Sequence, residues 1–241
     1  MRETTALCDG PYKTSRKQAT AVIFRRKGKN DDPETTGADV GAEDETGPVD
    51  VRAEGPFDST EVDASVLEDD ERIDLGALVV TGMPGMELGL QVDEQSGVVQ
   101  AVLLMLEDSA LELRAFAAPR TSGIWDEVRQ EIAAEASRMG GTATENDGPF
   151  GIELVLVVPV EDPEGQIFSQ TSRVIGVDGP RWLLRGTVLG RAAVEADAAL
   201  PMEETLRNTV VVRGDEPMAV RESLPLTLPP GAQPDPAEED A

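Results

Sequence analysis

The residues able to do chemistry thin out abruptly along this chain. Of its 241 residues, the only cysteine is Cys8 and the only tyrosine is Tyr12. The four lysines are Lys13, Lys17, Lys27 and Lys29, and there is no histidine. Beyond residue 30 the polar inventory is carboxylates, hydroxyls, amides and arginines. Ser-His-Asp and Cys-His nucleophile systems need atoms this region lacks, and so do zinc sites of His and Cys. No Gly-rich loop ends in Lys-Ser or Lys-Thr, so there is no P-loop, and a Schiff-base lysine has no candidate there. A hydrolase using carboxylates alone needs two acids in one cleft, a pairing that a sequence does not display. The inventory favours recognition over turnover and names no catalytic residue, metal or cofactor.

Asp93-Glu94-Gln95-Ser96-Gly97 comes nearest to a calcium loop but lacks its alternating acids and reads as a turn. Gly82, Gly85 and Gly89 precede a strand rather than a helix, so they are no dinucleotide fingerprint. Arg114, Arg120, Arg173, Arg181 and Arg185 are scarce cations in an acidic region. Arg120 stands just before an expected helix start, and Arg181 and Arg185 flank Trp182. A guanidinium beside a helix N-terminus can hold an anionic group, which makes Arg120, Arg181 and Arg185 the candidate ligand-binding residues. The competing reading pairs them with local acids or lays them over tryptophan faces. Thr35 and Thr36 follow Asp31-Asp32-Pro33-Glu34 in an acidic stretch. They are candidate phosphorylation sites for an Arg-lined phosphopeptide module.

Charge divides the chain that must position these groups. Residues 1–30 carry 8 basic and 2 acidic groups, net +6. Residues 31–74 carry 2 basic and 17 acidic, and residues 75–241 carry 11 and 28. The body should therefore repel phosphate backbones, leaving only the head able to meet nucleic acid or an anionic surface. No stretch approaches the length of a membrane helix, and no signal-peptide core is visible. With the lone cysteine, this gives the expectation of a cytoplasmic protein with no membrane contact. Val22-Ile23-Phe24-Arg25-Arg26-Lys27 would serve as a start, so residues 1–21 are a candidate extension.

Four zones follow: a basic disordered head (1–30), an acidic disordered linker (31–71), one α+β domain (72–228) and a disordered acidic Pro-rich tail (229–241). Phe57, Val62, Val66 and Leu67 are the linker residues able to dock on the body. Within the domain, strands are expected over 73–80, 86–92, 98–106, 111–116, 150–160, 167–177 and 181–189. Asp178-Gly179 marks a hairpin turn. Ile124, Val128, Ile132 and Ala136 recur every four residues, predicting a helix from an N-cap at Ser122 to Gly140-Gly141. A second helix is expected from Pro201, carrying Met202, Leu206 and Val210. This order predicts an α+β fold: a mainly antiparallel sheet covered by two helices.

Two stretches carry a family resemblance. Leu113-Arg114-Ala115-Phe116-Ala117-Ala118-Pro119-Arg120 with Gly123-Ile124-Trp125-Asp126-Glu127-Val128-Arg129 is one, and 174–186, Val-Ile-Gly-Val-Asp-Gly-Pro-Arg-Trp-Leu-Leu-Arg-Gly, is the other. Over residues 70–228 the chain resembles an uncharacterised actinobacterial family, domain of unknown function 3710. The resemblance implies a cytoplasmic actinobacterial protein and brings no activity, cofactor or catalytic residue with it. The element plan is also similar to a Mog1/PsbP-like sandwich, an analogy of fold alone. The functional expectation is a non-enzymatic protein-binding or accessory domain with an unidentified protein partner. The alternatives are an anion or small-ligand binder using arginines and a carboxylate-only hydrolase.

Overall fold

Period-two alternation through the middle of the chain builds most of the architecture. The structure is a computed structural model and describes residues 51–69, 71–92, 98–121, 123–162 and 165–227. The head, Thr35 and Thr36, the 93–97 turn, Ser122 and the 229–241 tail lie outside the described residues.

The first part of the domain holds β1 (Phe57–Asp58), α1 (Ala64–Leu67), β2 (Arg72–Asp74), β3 (Leu78–Thr81), β4 (Glu87–Val92), β5 (Val99–Leu106) and β6 (Ser109–Ala117). After α2 (Trp125–Arg138) come β7 (Thr142–Gly148), β8 (Gly151–Glu161), β9 (Ile167–Gly179) and β10 (Trp182–Gly190). A 3-10 turn (Arg191–Ala193) leads into α3 (Ala196–Arg207) and β11 (Val210–Val211). Seven strands form one antiparallel sheet in the order β4-β5-β6-β10-β9-β8-β7. A small second sheet runs β1-β11-β3-β2. The α+β expectation, a mostly antiparallel sheet with helices, holds.

Alternation sends each strand's side chains to two faces. Leu111, Leu113, Ala115 and Ala117 of β6 go to the inner face with Trp182, Leu184 and Val188 of β10. There α3 brings Ala199, Met202 and Leu206, and the small sheet brings Leu78, Val80 and Val211. Burial of each large side chain contributes about 1.5–3 kcal/mol, so this layer carries most of the stability. On the outer face Ile124, Trp125, Val128 and Ile132 pack on Leu154, Leu156, Val174 and Leu183. Gly176 is required there: a Cβ would stand 2.1 Å from the Trp125 ring.

The structure corrects several expectations. The linker reading over 31–71 fails for residues 51–69, which fold onto the body. Asp58 is buried and accepts the Trp182 indole N–H at 2.7 Å. Phe57 and Asp58 pair in parallel with Val210 and Val211. Few apolar residues are needed here, because a buried hydrogen bond and a sheet edge supply the anchor. The single strand expected over 73–80 is a hairpin of β2 and β3, turned at Gly76, whose φ of 80° favours glycine. β7, polar but for Ala143 and Gly148, gave no apolar alternation, yet it pairs with β8 as an edge strand. The β9–β10 turn is Pro180-Arg181, with Gly179 opposite Trp182 rather than within the turn. Arg181 takes φ 65° there. α3 begins at Ala196 and keeps Pro201 inside it, and Val210 belongs to β11.

Candidate functional site

Register places two cations side by side. Arg185 of β10 lies directly opposite Arg114 of β6 on the outer face. Arg114 donates from Nε to Glu112 Oε1 at 2.8 Å and from Nη2 to Gln91 Oε1 at 2.9 Å. Arg185 reaches the same Glu112 oxygen at 3.6 Å and packs over the Phe116 ring at 5.5 Å. Its Nε is buried with no hydrogen-bond partner among the described residues. Burial, then the Arg114 charge, push the Arg185 pKa below the ordinary arginine value, against the pull of Glu112. Leu103 and Met105 of β5 and Thr187 and Leu189 of β10 share this face by register. Leu103, Met105 and Leu189 are half-buried and belong to neither hydrophobic cluster.

Arg181 sits at the β9–β10 turn, donating to the Gly214 carbonyl at 2.8 Å with Asp215 at 3.7 Å. Arg213 donates to the carbonyls of Arg181 and Glu216. Arg120 is exposed, two residues past Ala118, whose N–H donates to the Arg181 carbonyl. Arg120 and Arg181 thus share one end of the sheet, while Arg185 lies along the strand beside Arg114. The α2 N-terminus is already occupied: Asp178 accepts from the Ile124 N–H at 2.8 Å and from the Trp125 N–H. Asp178 thus sets a carboxylate at the positive end of the α2 dipole.

A cavity of about 380 Å³ lies at the start of α3, lined by Asn146, Glu153, Thr171, Arg173 and Ala192–Ala196 among others. None of Arg120, Arg181 and Arg185 lines it. The acids that line it are Glu153 and Glu195, and Glu153 shares an arginine with Glu203, which is not among the lining residues. That arginine, Arg173, stands 2.9 Å from Glu153 and 2.8 Å from Glu203. Burial works against the Arg173 charge, but the two glutamates more than offset it and raise its pKa. Glu153 and Glu203 therefore bind a guanidinium between them, whereas a glycosidase-type pair faces each other across a cleft. Among the described residues no group of three or more acids or thiols could hold a metal ion.

The β8–β9 pair runs past both neighbours. From Val158 to Glu161 and Ile167 to Gln170 it has no further strand on either side among the described residues. Ile167 is 70 % exposed and Phe168 39 %. Sequence alternation located the strands, but only their unequal lengths in the sheet reveal a projecting arm.

Sheet, helices and paired charges together define an α+β domain built on a seven-stranded antiparallel sheet. The family model described as "Protein of unknown function (DUF3710)" matches residues 55–235, and the chain belongs to that family. No curated protein and no solved structure matches it. Among the described residues no helix is long and apolar enough to cross a membrane.

Proposed function

We propose that this is a non-enzymatic protein-binding or accessory domain, working in the cytoplasm of an actinobacterium. The observation that carries the reading is the projecting β8–β9 arm. Two strands with no further strand on either side among the described residues are marginal alone, and such edges and exposed Ile167 and Phe168 suit pairing with another chain. The charge distribution supports a protein rather than a nucleic-acid partner, since residues 75–241 hold 28 acids against 11 arginines.

Affinity capture with the full chain, wild type beside Phe168→Asp, tests the proposal. The variant should lose a specific partner by about tenfold or more while keeping the wild-type melting temperature. Recovery of the same proteins by both would show that the arm is not the contact. Turnover of any substrate by the purified chain, abolished by changing one acid of the domain, would replace the proposal with the hydrolase reading.

A further inference from the structure

We propose that the Arg114–Arg185 pair is the receptor for a carboxylate carried by an acidic segment of a partner protein. This rests on the protein-binding reading and adds the partner's chemistry and a second point of contact.

Three features of the pair leave it incomplete by itself. Like charges directly opposite on neighbouring strands are destabilising, and here two guanidiniums face one another at the register position. One carboxylate, Glu112, forms the ion pairs found for both, close to Arg114 and at only 3.6 Å from Arg185. The pair thus keeps a net positive charge within a chain of net charge −26. The third feature is the Arg185 Nε donor, buried and without an acceptor among the described residues. Native structures rarely leave such a donor unsatisfied. A carboxylate meets arginine bidentately, so one added carboxylate supplies the negative charge that the pair lacks.

The surroundings select a protein as its carrier. The pair lies on a sheet face shared with Leu103, Met105 and Leu189, which neither core takes up. Arginine, methionine and aromatic side chains grouped in this way match the central part of protein interfaces. A small free anion would neutralise the arginines and add no apolar contact to those half-buried side chains. The flanking Gln91 and Thr187 add polar groups at the edge of the patch.

The test follows the arginine Nε–H signals of the full chain by NMR. An oligoglutamate peptide, an oligoglutamine peptide and inorganic phosphate are titrated separately. The signals of Arg114 and Arg185 should move saturably with oligoglutamate alone, while those of the exposed Arg120 and Arg138 stay in place. Arg114→Gln and Arg185→Gln should each weaken binding by about tenfold or more. If Arg185→Gln does not fold, Arg114→Gln, at the more exposed position, carries the comparison. Saturation by phosphate in place of oligoglutamate would overturn the proposal in favour of a small-anion site. Equal movement of all exposed arginines, or undiminished binding by a folded Arg114→Gln, would overturn it outright. If Phe168→Asp abolishes partner capture and Arg114→Gln changes nothing, the protein-binding reading stands and the carboxylate receptor falls.

Discussion

The two sides of β10 are made from one nine-residue strand and have opposite fates. Trp182, Leu184 and Val188 face inward and are fully buried beneath α3 and the small sheet. Leu183, Arg185, Thr187 and Leu189 face outward, and of these only Leu183 enters a core, where α2 lies over it. Alternation sorts the side chains, but the covering element decides what each face tolerates. Beneath α3 a guanidinium without a full set of partners would be prohibitively costly to bury. Beside the end of α2, Arg185 keeps its side chain 23 % exposed and its charge.

The hardest break of this contrast is Trp182→Ala. It removes the largest fully buried side chain and the donor to Asp58, and should lower unfolding free energy by about 3–5 kcal/mol, read by urea denaturation. On the helix-covered outer side, Gly176→Ala drives a methyl into the Trp125 ring. About 1–3 kcal/mol should be lost, and a Gly176→Ala, Trp125→Leu double variant should recover part of it. Asp58→Ala, which leaves the buried indole N–H unpaired, should cost about 1–3 kcal/mol and detach residues 51–61, seen as faster amide exchange there. On the uncovered side the sign turns. Arg185→Leu removes like-charge repulsion and an unsatisfied donor, and should be neutral or stabilising by about 1 kcal/mol at most. A loss as large as that of Trp182→Ala would mean that the two faces are equally demanding.

The smallest effect is a pH dependence. Arg52 grips Glu61 through two hydrogen bonds at 2.7 and 2.8 Å. The Arg52 hydrogen bond is the chief cause of a Glu61 pKa below its ordinary value, against a smaller penalty from burial. A depressed carboxylate stabilises the fold above its unfolded value, about 4.3, and loses that contribution as pH falls through the folded value. The melting-temperature gap between wild type and Glu61→Gln should be steady from pH 7 to about pH 5 and close on further acidification. A gap that persists at pH 2 would show that the Arg52 contact acts by packing alone.

Much of this arrangement was legible beforehand. β4, β5, β6, β8 and β9 follow from alternating or continuous apolar runs, and α2 from its four-residue apolar recurrence. β7 was not legible, because an edge strand of mostly Thr, Glu, Asn and Asp is held chiefly by a partner's hydrogen bonds, and one alanine, Ala143, is too little for a hydrophobic signature. The ordered segment from 51 to 69 escaped for a similar reason: its acidic composition reads as linker, and its anchor is one carboxylate held by an indole 124 residues away. Of the candidate arginines, Arg185 was named from its place beside Trp182, but its neighbour Arg114 became part of a pair only through the β6–β10 register.

By itself the sequence determined the chemical vocabulary and the fold class. A region without imidazole, thiol, amine or phenol cannot assemble the usual nucleophile systems, and local periodicity obliges its segments to be strands or helices. Tertiary structure alone decided which charges are satisfied and which surfaces are covered. Those properties arise between residues far apart in the chain, where strand register sets Arg185 against Arg114 and the reach of α2 sets where the outer layer stops.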